Sequence, residues 1–259
     1  MRIKLILGDT CNLHCEYCYQ DNQNNRISKE VLDKIAFLIK DLDEIDINLF
    51  GGEPTLYERE IMYFLSIVDM NKVNFSISTN GTNQEVIRKI QSTLGKKISI
   101  LLSNKKGIIP SMINDKTKFR YILTTENIKV FDRQYFEILH GLFREKITFI
   151  PNFYEKWRDV DILNLSIFKK NIDELTGRFN EIIFPCNNLK FGCCVDECII
   201  NWNGDILGCH RVKDSIIGNI FNDGLKLSKL EKCISLTQGV VSKNFSNSFV
   251  SHVIPRRCD

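Results

Sequence analysis

"RIKLILGDTCNLHCEYCY", residues 2–19, decides how the rest of the chain is read. A short apolar run ends at Leu7, and Cys11, Cys15 and Cys18 then crowd into eight positions. The next cysteine is Cys186. Structural cysteine sites take four ligands, whereas three protein ligands mark a metal centre that keeps one position open. Thiolates are soft ligands that suit iron–sulfur clusters and zinc. A zinc knuckle completed by His14 or by a distant residue is the alternative at this point.

Outward from this loop the chain alternates between two periodicities. Residues 2–7, 45–50, 73–78, 98–102, 119–123 and 147–150 have the apolar content and period of strands. Between them, apolar residues recur at helical spacing. Val31, Ile35, Leu38 and Leu42 share one face behind Ser28 as N-cap, Ile61, Phe64, Leu65 and Val68 a second, and Val86, Ile87, Ile90 and Leu94 a third. A weak helical segment falls near 110–115, Tyr135 to Phe143 follow Asp132, and Leu165 to Phe179 close the series. Six β/α units argue for parallel strands with right-handed crossovers. Six are too few for an eight-unit closed barrel. The expected fold is therefore α/β, an open partial (β/α)6 barrel over residues 1–185. A small C-terminal extension, built from a β-hairpin and a helix, occupies 186–259.

Composition narrows the function. The 259 residues are 43% hydrophobic and 26% charged, as expected of a chain with an ordinary soluble core. Lys+Arg is 35 against 32 for Asp+Glu, too even a balance for nucleic acid or a membrane surface as the main partner. No apolar run reaches the roughly 20 residues of a membrane helix. The amino terminus reads as a first strand and not as a signal peptide, so a cytoplasmic location is expected. There the ten cysteines are expected as thiols or metal ligands and not as disulfides.

Ligand sites in parallel α/β folds lie at the carboxyl ends of the strands. The unusual residues fall there: the three cysteines after the first strand, Gly51-Gly52-Glu53-Pro54 after the second, Thr79-Asn80-Gly81 after the third and Ser103 after the fourth. With its Cys-x3-Cys-x2-Cys spacing and its GGE segment, the sequence resembles the radical S-adenosylmethionine superfamily. The resemblance implies a [4Fe–4S] cluster held by Cys11, Cys15 and Cys18, whose open iron is chelated by S-adenosylmethionine. It further implies that Gly51, Gly52 and Glu53 hold the methionine ammonium and that Tyr17 lies beside the adenine. Ser78 and Asn80 become candidates for cofactor or substrate contacts, and Ser103 for a ribose contact.

The stretch "PCNNLKFGCCVDECIINWNGDILGCHR", residues 185–211, carries a second cysteine group. Asn203-Gly204 between two apolar runs predicts a hairpin. Cys194-x9-Gly204-x4-Cys209 resembles the start of the SPASM/Twitch extension of radical S-adenosylmethionine enzymes. This implies one auxiliary [4Fe–4S] cluster on Cys186, Cys194, Cys209 and Cys258, with Cys193 as a substitute for Cys194. Only Cys233 and Cys258 follow Cys209, so a second auxiliary cluster is not expected. Cys193, Cys198 and Cys233 remain as spare thiols, buried or donating a hydrogen atom to a substrate radical. The implied activity is an oxidoreductase that generates a 5′-deoxyadenosyl radical and abstracts a substrate hydrogen. Oxidation or cross-linking of a peptide or protein is the leading expectation. Oxidation of a small molecule, peptide epimerisation and a non-catalytic iron–sulfur or zinc protein are the alternatives. An electron donor such as flavodoxin or ferredoxin is the implied partner.

Overall fold

A computed structural model describes residues 1–16, 18–103, 116–152, 155–177, 197–210 and 215–226. Six strands, β1 (Arg2–Ile6), β2 (Ile45–Phe50), β3 (Val73–Thr79), β4 (Ile98–Ser103), β5 (Thr117–Leu123) and β6 (Ile147–Pro151), run parallel in sequential order. Helices α1 (Lys29–Ile39), α2 (Glu58–Ile67), α3 (Gln84–Leu94), α4 (Arg133–Phe143) and α5 (Asp159–Thr176) cover the outer face. The weak helical segment near 110–115 lies outside the described residues. The sheet stays open, as the unit count requires.

Local chemistry sets the helix boundaries. The Ser28 hydroxyl accepts from the Val31 amide at 3.3 Å, and the Asp132 carboxylate accepts from the Tyr135 amide at 3.1 Å. The last long helix stops earlier than its apolar pattern suggests. Gly177 adopts φ +66°, a left-handed C-cap, so α5 ends at Thr176; Phe179 lies outside the described residues.

Each strand has two unlike faces because successive side chains alternate. Ile3, Leu5, Ile47, Leu49, Phe75 and Ile77 are buried against the helices. Their neighbours Lys4, Asn48, Ser76, Ser78 and Arg120 line a concave inner cavity. The core therefore sits between sheet and helices, and the hollow of the barrel is polar.

The C-terminal hairpin is not a detached module. Strand β7 (Glu197–Ile200) pairs parallel with β1, placing Ile3 opposite Cys198 and Leu5 opposite Ile200. Strands β8 (Asp205–Leu207) and β9 (Ile216–Asn219) follow antiparallel, ahead of the short helix α6 (Ile220–Asp223). The nine strands form one sheet, ordered β6-β5-β4-β3-β2-β1-β7-β8-β9. Pairing with β7 satisfies the edge of β1 that an isolated six-strand barrel would leave open. The expected boundary at 185/186 lies outside the described residues.

The hairpin turn also differs from the Asn-Gly expectation. The Gly204 amide donates to the Asn201 carbonyl at 2.9 Å, and Gly204 alone among the turn residues has positive φ, +89°. A two-residue type I′ turn needs positive φ at both central positions. The chain instead makes a wider turn over 201–204 with glycine as its last residue.

Candidate functional site

The cysteine loop is held by the two glycines after β2. The Gly52 amide donates to the Gly8 carbonyl at 3.0 Å, and the Glu53 amide to the Thr10 carbonyl at 2.8 Å. A Cβ on Gly52 would sit 2.2 Å from the Thr10 oxygen, and one on Gly51, at φ +145°, 2.5 Å from the Gly8 oxygen. Glycine is required because two backbones meet there. Both residues also line the cavity, but their tightest neighbours belong to the loop that carries the cysteines. Tyr57 adds a tie, its hydroxyl accepting from the Thr10 amide at 2.8 Å and donating to the Asn25 carbonyl at 3.1 Å.

Cys11, Cys15 and Cys18 line one cavity of about 200 Å³ at the carboxyl ends of the strands. Cys11 is half-buried, and its sulfur accepts from the Leu13 amide at 3.4 Å and from the Asn80 side-chain amide at 3.9 Å. Burial pushes the Cys11 thiol up; the Leu13 amide opposes this, while Glu53, Cys18 and Cys15 add to the rise. Among the described residues no three His, Cys, Asp or Glu side chains are arranged to hold a metal ion. A [4Fe–4S] cluster differs from a single ion here, because its thiolates attach to separate irons. Tyr17 lies outside the described residues.

Glu53 is tied into the protein at the end of β2. Its side chain is fully buried and stands behind the cavity lining. Oε1 accepts from the Thr55 amide at 3.0 Å, the Thr55 hydroxyl at 2.7 Å and the Thr79 hydroxyl at 2.7 Å. Oε2 accepts from the Asn80 amide at 2.7 Å. The carboxylate thus joins the end of β2 to the end of β3 and caps the 3-10 turn Pro54–Tyr57.

Ser78, Asn80 and Ser103 all line the cysteine cavity. Asn80 reaches toward the loop, donating to Asn12 Oδ1 at 2.9 Å as well as to Cys11. Ser78 shares Asn48 with Ser76. Sequence reading overlooked Gln20, Phe50, Arg120 and His210, which line the same space as Asn152 at the end of the sixth strand. Arg120 had a weak signal, as a lone charge within the apolar run FRYIL. It is opposite Ser103 in the β4–β5 register and brings a fixed positive charge to the lining.

A second cavity of about 330 Å³ continues into the barrel and shares Phe50, Ser78, Arg120, Ile150 and His210 with the first. Lys4 Nζ pairs with Glu197 at 2.9 Å and lies 3.4 Å from His210 Nδ1. The His210 ring packs edge-on against Phe50 at 5.4 Å. The extension therefore supplies part of the chamber wall.

Of the expected auxiliary ligands, Cys209 is buried, its amide donating to Ser215 Oγ at 3.1 Å. Cys186, Cys194 and Cys258, with Cys193 and Cys233, lie outside the described residues. Cys198 belongs to the helix-side core and lines neither cavity. Burial pushes its thiol up to about 11. A hydrogen-atom donor must face the substrate, so Cys198 has the placement of a structural thiol.

The chain is an open parallel barrel with three cysteines on the loop after its first strand. Residues 5–101, from β1 to Leu101 in β4, match the family model of the radical SAM superfamily. An uncharacterized protein of Methanocaldococcus jannaschii is 32% identical over 140 residues, 48% of this chain. That match spans about half the relative's length, 49%. A probable GTP 3′,8-cyclase of Saccharolobus islandicus is 21% identical over 262 residues, covering 83% of this chain and 84% of that protein. The fold is shared with the solved structure of anSMEcpe with bound AdoMet and Cp18Cys peptide. That likeness has TM-score 0.64 at 17% identity and covers 100% of this chain and 86% of that one. Among the described residues no helix is long and apolar enough to cross a membrane.

Proposed function

We propose that the chain is a radical S-adenosylmethionine oxidoreductase whose substrate is a peptide or protein side chain. The observation that carries the reading is the meeting of Cys11, Cys15 and Cys18 with Gly51, Gly52 and Asn80 around one cavity. The donor set fits the cofactors. Three soft thiols suit a [4Fe–4S] cluster with one open iron, and the amides at Cys11 Sγ suit a thiolate ligand. When bound, the cluster and S-adenosylmethionine supply a 5′-deoxyadenosyl radical able to remove a substrate hydrogen.

The chain's own part is binding, orientation and exclusion of water. Arg120 offers a bidentate partner to the cofactor carboxylate. Ser78, Ser103 and Asn152 offer hydrogen bonds to its sugar and to the substrate. The polar chamber behind them, walled by Lys4, Glu197 and His210, takes one side chain or one small molecule. An auxiliary cluster on Cys186, Cys194, Cys209 and Cys258 would accept the substrate electron. Flavodoxin or ferredoxin would deliver the priming electron.

A small-molecule substrate is the second reading. Probable GTP 3′,8-cyclases are among the relatives aligned over most of this chain. The test has two stages. Anaerobic reconstituted protein with dithionite and S-adenosylmethionine forms 5′-deoxyadenosine; its absence overturns the radical reading. Incubation with small peptides encoded beside the gene then lowers a product mass by about two units, the count for loss of two hydrogens. Turnover of a nucleotide with every peptide unchanged favours the second reading.

A further inference from the structure

The inward faces of the first three strands carry a polar rung. Strand register sets Lys4 beside Asn48 and Asn48 beside Ser76, and all three line the inner chamber. In a closed barrel such inward positions hold bulky branched side chains that fill the interior. Here Asn48 Nδ2 donates to Ser76 Oγ at 2.8 Å. Lys4 Nζ donates to Glu197 at 2.9 Å and lies 3.4 Å from His210 Nδ1. An ammonium has three N–H groups, and the third meets no oxygen or nitrogen acceptor among the described residues. The Ser76 hydroxyl accepts from Asn48, and among the described residues its own proton also meets no acceptor. What the rung lacks is an acceptor oxygen.

The fixed charges around it cancel. Arg2 stands in register between Asp46 and Glu197, and Lys4 pairs with Glu197. The described lining there holds two cations and two carboxylates. The further cation, Arg120, lies on the wall shared with the cysteine cavity and is assigned above to the cofactor carboxylate. A charged ligand group would lose its water and find no counterion left over. An apolar group would cover the open donors without replacing their hydration. We propose that the Lys4–Asn48–Ser76 rung is a substrate subsite that selects an uncharged group with an acceptor oxygen, a carboxamide or a hydroxyl. This rests on the peptide reading above, under which the selected side chain is asparagine, glutamine, serine or threonine.

The experiment titrates single-residue probes into anaerobic, cluster-loaded protein saturated with S-adenosylhomocysteine and reads affinity by saturation-transfer NMR. The probes are the N-acetyl amides of glutamine, serine, glutamate, lysine and leucine. The glutamine and serine probes bind roughly tenfold more tightly than the other three, the worth of one hydrogen bond to a charged donor. Two variants shift the charge balance. Lys4→Met leaves a carboxylate in excess, so the lysine probe becomes the tightest binder. Glu197→Gln leaves a cation in excess, so the glutamate probe does. Ser76→Ala removes one open donor, weakens the glutamine and serine probes and leaves the other three unchanged. A wild-type preference for a charged probe or for leucine, no binding of any of the five, or an order that neither charge variant changes overturns the proposal. Failure of the peptide reading looks different: the probe order and its inversions persist while every peptide stays unchanged and a nucleotide is turned over.

Discussion

Glu53→Gln separates a ligand-facing carboxylate from one that ties two strand ends together. The wild-type side chain is fully buried and accepts four hydrogen bonds, three on Oε1 and one on Oε2. Glutamine can keep its oxygen where the three donors converge. Its NH2 group then faces the Asn80 amide, donor against donor. One charge-assisted bond is lost and a partly buried N–H is left unpaired, a change of about 2 kcal/mol. For a domain of this size each kcal/mol moves Tm by about 2–4 °C, so the variant should unfold about 4–8 °C lower. Anaerobic thermal unfolding followed by far-ultraviolet circular dichroism at pH 7 reads this directly. Affinity for S-adenosylhomocysteine should change by less than about threefold, well under the effect of removing a hydrogen bond to a charged group. An unchanged Tm with a tenfold or greater loss of affinity would refute the reasoning, because it requires the carboxylate to reach the ligand.

Other substitutions test the remaining parts of the site. Replacing Cys11, Cys15 and Cys18 together by Ala leaves a folded protein that lacks about one cluster of iron and forms no 5′-deoxyadenosine; retained cleavage contradicts the assignment. Gly52→Ala drives a Cβ to 2.2 Å from the Thr10 oxygen, so iron incorporation and Tm should both fall. Normal loading would mean that the loop packing is not what holds the cysteines. Arg120→Met should weaken S-adenosylhomocysteine about tenfold and spare methylthioadenosine, the loss expected for one carboxylate pair. Cys198 gives a pH signature. Burial holds its thiol protonated up to about 11, against an ordinary value of 9.0. Above pH 9 the unfolded chain releases this proton and the folded one does not, so stability present below that pH is lost as pH rises toward 11. Cys198→Val should flatten the decline of Tm over this window, and identical slopes would show that the thiol is not buried.

The residue pattern alone determined the six parallel strands, the five helices described around them, the caps at Ser28 and Asp132 and the cysteine loop at the carboxyl end of the first strand. Each of these depends on side chains within a turn or two of one another, where period and capping chemistry are written locally. The stop at Gly177 was equally local, but the apolar run masked it. The tertiary structure decided the rest. Gly51 and Gly52 are small because Gly8 and Thr10 press on them from another loop, and sequence spacing carries no record of that approach. Glu53 is held between the ends of β2 and β3 because Thr79 and Asn80 arrive from β3 with donors. Gln20, Arg120 and His210 meet around one space because parallel pairing sets β1 beside β2 and β7, and β4 beside β5. Strand register fixes which distant residues share a face, and register is the outcome of burying the whole helix-side core at once.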